Sequence, residues 1–118
     1  MNKPVVYVAG PMRGIKYYNH PAFDKAADML ADFGFEVINP AAMDRDEGFD
    51  VYELPENFDW NTFPDGLQIR EVFHRDAAAI CKRAHCIYML PNWPKSKGAR
   101  AERALFRAMG LFVIRQVP

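Results

Sequence analysis

Only two of the 118 residues are cysteines, Cys81 and Cys86. Two thiols five positions apart, with no matching His and Cys set around them, do not spell a zinc site. A disulfide is not expected, because Cys81 reads as late helix and Cys86 as the start of a strand. Two reduced thiols, buried or half-buried, fit a cytoplasmic protein. Excess charge of one sign is missing as well: 15 Lys and Arg balance 15 Asp and Glu. A neutral chain has no long-range field to draw it to nucleic acid or to an anionic membrane, although a local loop can still hold a small anion. No apolar run approaches the roughly 20 residues of a membrane-spanning helix. The N-terminus has no basic stretch before its five-residue apolar run, so no signal peptide is read there. There is no internal repeat, and neither a metal nor a cofactor is expected.

What is present is an ordinary globular composition, half hydrophobic and a quarter charged. A single domain of this length can bury roughly two thirds of its unfolded surface without staples. Val5 to Ala9 reads as a buried strand, ended by Gly10-Pro11. Asn19-His20-Pro21 starts a helix whose apolar positions are Phe23, Ala26, Ala27, Leu30 and Phe33, and Gly34 ends it. Phe35 to Asn39 is a second strand, stopped by Pro40. Further on come a helix from about Leu67 to Ala84, a strand from Cys86 to Leu90, a helix from about Ala99 to Met109 and a strand from Leu111 to Arg115. Right-handed crossovers make such strands parallel. The expected fold is α/β, an open parallel sheet of four to five strands with helices on both faces, of the Rossmann or flavodoxin kind. Ligands of such sheets lie at the carboxyl ends of the strands where the strand order reverses. That edge gathers "GPMRG", "NPAAMD" and "PNWPKSKGARAE".

Residues 41 to 66 break the pattern. "DRDEGFDVYELPENFDWNTFPDG" is acidic, carries two prolines and two glycines, and resembles no regular element. "DRDEG" has the look of a calcium loop without its later ligands. The segment is either a solvated loop or a lid whose Phe49, Tyr52, Phe58, Trp60 and Phe63 could cover an aromatic base.

Two carboxylates stand out. Asp76 falls near the middle of the apolar stripe Ile69, Val72, Phe73, Ala77 and Ile80. A carboxylate facing a core must be paired or hydrogen-bonded. It is either a structural aspartate holding amides or an arginine, or an acid aimed at a dry site where proton transfer is needed. Glu102 is placed in the first turn of the last helix, where the dipole alone favours an acid. It also sits at the edge of the stripe Ala101, Ala104, Leu105 and Ala108, able to look into the crevice. Ser96 and the amides near Gly98 would form an anion cradle. Two carboxylates in one crevice suggest glycosidic chemistry. Trp93 is either a base-stacking platform or a packing residue.

At these residues the chain resembles the nucleoside 2-deoxyribosyltransferases and the related 2′-deoxynucleoside 5′-monophosphate N-hydrolases, over most of its length except residues 43 to 66. "YVAGPMRG" is similar to the first strand and loop of that superfamily, "FHRDAAAI" to the helix with its aspartate, and "SKGARAERALFRAMG" to the segment with its nucleophilic glutamate. The likeness is strongest to a branch of small phage and bacterial proteins with a Leu-Pro-x-Trp and Ser-x-Gly-Ala pattern. The resemblance implies that Glu102 attacks C1′ of a deoxyribose, that Asp76 protonates or orients the leaving base, and that Tyr7 holds Glu102. It implies that Gly10, Arg13, Gly14, Ser96 and Gly98 hold the 5′-phosphate, and that the protein assembles as a homodimer or larger. The transferases carry an aspartate six residues before the nucleophile. Here that position is Ser96, as in the monophosphate hydrolases. Pro11 replaces a hydroxyl residue that the hydrolases use near phosphate. The expected activity is hydrolysis of a deoxynucleotide, with base exchange and a binding module without turnover as alternatives.

Overall fold

The computed structural model describes residues 3–63 and 68–115. The element order is β1 (Val5–Ala9), α1 (His20–Asp32), β2 (Glu36–Ile38), α2 (Pro40–Asp46), α3 (Ile69–Arg83), β3 (Cys86–Met89), α4 (Lys97–Ala108) and β4 (Phe112–Arg115). The four strands pair in the order β2-β1-β3-β4, and every pairing is parallel. The fold is therefore α/β, with β1 and β3 central and in register from Val6–Cys86 to Ala9–Met89. Strand order reverses between β1 and β3, so their carboxyl ends form the switch point at which such sheets bind ligands.

Alternation along β1 builds the two layers. Val6 and Val8 pack with Phe23, Ala26 and Leu30 of α1 and Ala41 of α2. Val5, Tyr7 and Ala9 pack on the opposite face, with Ile80 of α3 and with Ala99 and Phe106 of α4. A strand covered on both sides reads as a continuous apolar run, and all five residues of β1 are buried. Tyr7 thus extends beneath α3 and α4. His85 Nδ1 accepts from the Val5 amide at 2.9 Å and fastens the start of the strand. Among the described residues, no helix is long and apolar enough to cross a membrane.

Three sequence expectations are corrected. The segment after residue 40 is not devoid of regular structure: it opens with α2 and holds a 3-10 turn at Val51–Glu53. Asn39 caps α2 through its side chain, and Pro40 occupies the first turn, where its missing N–H costs nothing. The proline that stops β2 also starts a helix. Secondly, α4 begins at Lys97 because the Ser96 hydroxyl oxygen accepts from the Ala99 amide. Glu102 consequently lies in the second turn, beyond the strongest reach of the helix dipole. Thirdly, the buried face of α4 is not the alanine stripe. Ala101, Ala104 and Ala108 are exposed, whereas Ala99 and Phe106 are buried and Glu102 lies between them on the same face. One buried phenylalanine outweighs several alanines in deciding which face turns inward. The proposed start of α3 at Leu67 lies outside the described residues; the helix is seen from Ile69.

The insert packs on the loop after β1. Tyr17, Tyr18 and Asn19 all adopt positive φ (55°, 47° and 63°), a run that L-residues rarely sustain. Tyr18 is buried and lies against Phe49, Phe58, Trp60 and Phe63, and its hydroxyl donates to the Thr62 carbonyl. Tyr17 meets Tyr52 and Trp60. These aromatics therefore spend much of their surface on one another and on the first loop. Asn19 adds a bond from Nδ2 to the Pro11 carbonyl.

Candidate active site

Three side chains from three elements meet on the α3/α4 side of the sheet. The Tyr7 hydroxyl donates to Glu102 Oε2. The same hydroxyl favours the ionised form of Asp76. Tyr7 is fully buried, Asp76 is buried at 7% exposure, and Glu102 is half-buried with its carboxyl as the deep end. Burial raises the Glu102 carboxyl to about 8; the Tyr7 hydrogen bond opposes this, the Asp76 charge adds to it, and Arg75 opposes it again. Asp76 is also raised, by burial first, while Arg75 pulls it back. Tyr7 is pushed well above its ordinary value by burial and by the neighbouring acids, so it serves as a donor. Two acids in unequal environments beside a locked hydroxyl are what acid–base and nucleophilic catalysis require.

Arg75 was not singled out by the sequence reading. Its Nε donates to Asp76 Oδ1 at 2.9 Å, and Nη2 lies 2.8 Å from the same oxygen. Nη1 donates to Glu47 Oε2 at 3.0 Å and pairs with Asp44 Oδ1 at 2.9 Å without the alignment of a hydrogen bond. Asp44 is in turn 3.6 Å from Nε2 of the fully buried His20, whose Nδ1 faces Arg45 Nη1 at 3.2 Å. A guanidinium can only donate, so Nδ1 accepts. The missed signals were Asn39-Pro40 as a helix start and an arginine directly before Asp76.

The candidate anion residues divide into two groups. On one side Gly14 has φ +85°, its amide donates to the Trp60 carbonyl at 2.7 Å, and a Cβ there would come within 2.9 Å of Asn61 Oδ1. Arg13 is exposed; its Nε donates to the Asn61 carbonyl at 2.8 Å and its guanidinium lies 4.8 Å from the centre of the Phe63 ring. On the other side Ser96 caps α4, and Gly98 faces the half-exposed Phe73. Gly10 stands between them at the switch point. A Cβ there would lie 2.6 Å from Leu90 Cβ, so β1 can leave the sheet beside β3 only as glycine. Gly10→Ala is expected to cost about 1–3 kcal/mol, seen as a lower urea midpoint. Of the two alternatives for Trp93, packing describes its contacts: the ring lies against the core and 4.8 Å from the Arg103 guanidinium.

Two of the five stripe residues on α3 behave differently from expectation. Ile69 and Phe73 are 40% and 42% exposed. Asp76 and Ile80 are the residues that turn inward. Cys81 is exposed and Cys86 buried, both as free thiols. Among the described residues no group of His, Cys, Asp and Glu is arranged to hold a metal ion.

A family model described as "Domain of unknown function (DUF4406)" matches residues 4–115. The chain belongs to the DUF4406 family. The match spans every element from β1 to β4, so the Tyr7, Asp76 and Glu102 constellation and the α2 segment all fall inside the DUF4406 region. No curated protein and no solved structure matches this DUF4406 chain.

Proposed function

We propose that this protein cleaves the N-glycosidic bond of a 2′-deoxynucleoside 5′-monophosphate. The carrying observation is the Tyr7 hydroxyl on the Glu102 carboxyl, with Asp76 beside them. In the first step a Glu102 carboxylate oxygen bonds to C1′ and the C1′–N bond breaks, its electron pair leaving with the base. Asp76 orients that base and, in its acid form, gives its proton to the departing nitrogen. In the second step water adds at C1′ and gives a proton to the Asp76 carboxylate, the ester bond to Glu102 breaks, and both carboxyl groups return to their starting states. Tyr7 keeps the attacking oxygen in place. Arg13 on one side, with Ser96 and the first-turn amides of α4 on the other, would take the phosphate; the Gly14 amide is already held by the Trp60 carbonyl. This role extends the resemblance to the monophosphate hydrolases, which share a serine at the position of Ser96.

A raised Glu102 supports chemistry over simple binding, since a binder gains nothing from an attacking carboxyl held at an energetic cost. The test is a mass-spectrometric survey of products from each deoxynucleoside and each deoxynucleoside 5′-monophosphate, with and without a second free base. Free base and deoxyribose 5-phosphate are expected from monophosphates alone. Base exchange on nucleosides would make the protein a transferase and remove the role given to Arg13 and Ser96. No product from any of them, with a ligand still bound, would favour the binding module.

A further inference from the structure

The ion cluster behind Asp76 has a feature that simple charge balance does not explain. One buried cation would be neutralised by one carboxylate, yet Arg75 faces three: Asp76 on its own helix, and Asp44 and Glu47 from the segment around α2. Its side chain is only 14% exposed. The guanidinium is split by direction. Nε and Nη2 turn to Asp76, and Nη1 turns to α2. Behind it Asp44 is backed by buried His20, and Arg45 reaches both His20 and Asp24, whose Oδ1 also accepts from Asn39, the cap of α2. The chain of partners therefore runs from the start of α2 to the reacting acids.

We propose that Arg75 is a positioning residue: it fixes the Asp76 carboxylate beside Tyr7 and Glu102, and α2 fixes Arg75 through Asp44 and Glu47. A planar fork with donors on two edges is the group that can hold two elements in one geometry, which a lysine ammonium cannot do. The consequence is that the segment read from sequence as a loop sets the geometry of the acids on the other face of the sheet. The groups facing Asp76 are Arg75 on α3, Asp44 on α2 and Tyr7 on β1, with Glu102 on α4 bound to the same Tyr7 hydroxyl; Glu47, just after α2, faces Arg75. Arg75 favours ionised Asp76, while the Asp44 charge opposes it. Removing each therefore has opposite signs. The effect on turnover rests on the glycosidase reading; the effect on the acids does not.

The experiment is a carboxyl-carbon NMR titration of the whole labelled protein as wild type, Arg75→Met, Arg75→Lys and Asp44→Asn. Arg75→Met is expected to raise the Asp76 midpoint by about one unit or more, a tenfold gain in proton affinity, and to raise Glu102 with it. Asp44→Asn is expected to lower the Asp76 midpoint. Arg75→Lys is expected to return the midpoint to near the wild-type value and leave kcat at least about tenfold low, because charge is restored and the fork is not. An unmoved Asp76 midpoint in Arg75→Met overturns the proposal. Should that variant not fold, the comparison of Arg75→Lys with the wild type decides instead. Full recovery of kcat in Arg75→Lys would also overturn it, leaving Arg75 as a charge alone. If the wild type turns over no nucleotide, the glycosidase reading fails, and the NMR midpoints still decide whether Arg75 sets the protonation of Asp76.

Discussion

Glu102→Gln is expected to abolish cleavage while leaving the protein more stable at alkaline pH than the wild type. Without the attacking carboxylate no covalent ester forms, and kcat should fall by about three orders of magnitude or more. Binding of the monophosphate should persist, because the candidate phosphate residues are untouched. The stability change follows from linkage. Glu102 has an ordinary value of 4.5 and is raised to about 8 in the fold. Between those values the folded state holds a proton that the unfolded state has released. The contribution of this group is therefore full below about pH 4.5 and is lost as pH rises toward 8. A neutral glutamine does not titrate, so its advantage over the wild type should grow across that window, reaching about 2–4 kcal/mol by the alkaline end. Urea melts at about pH 4 and about pH 8.5 would check this, one below and one above the titration window. Equal midpoints at both pH values would mean that the Glu102 carboxyl is not held at a cost. Wild-type turnover in the variant would remove it from the mechanism.

The second large effect is that of Asp76→Asn. If Asp76 protonates and orients the base as proposed, its loss is expected to lower kcat by about 10²–10⁴-fold. The pH profile distinguishes this from mere disturbance. Attack needs ionised Glu102, so kcat/KM of the wild type should climb with pH through about 8 and then level off. The Asp76 charge is one of the causes that raise Glu102. Removing it should shift the climb to lower pH even as the plateau drops. A plateau that drops with the climb unmoved would separate Asp76 from Glu102 electrostatically and leave only a structural role. The fold should survive the change, because Arg75 retains Asp44 and Glu47 as partners.

Several features were legible before any coordinates. The β-branched run at Val5–Ala9 and the glycine and proline punctuation after it specify a buried central strand. Strand and helix periods alternating along the chain specify parallel pairing, since only a crossover fits such connections. Asp76 was conspicuous because a lone acid inside an apolar stripe needs a partner. Less legible was α4, where alanines dilute the periodic signal and Phe106 alone carries enough apolar surface to decide the face. The α2 helix escaped notice because it is seven residues long and its acidic second half resembles a loop.

What the sequence determined by itself is therefore the order of the strands and of the three long helices, the sense of the sheet and the presence of two acids and an arginine–glycine loop. These depend on period, turn chemistry and local composition, which are read within a few residues. What only the tertiary structure decided is which groups meet. Tyr7 reaches Glu102 across 95 positions of sequence, and Arg75 reaches Glu47 across 28. The insert's aromatics close on Tyr17 and Tyr18. Such contacts depend on how deeply each helix beds on the sheet and on the desolvation that follows. The charge state of a buried acid is set by partners that the chain brings together only when it folds.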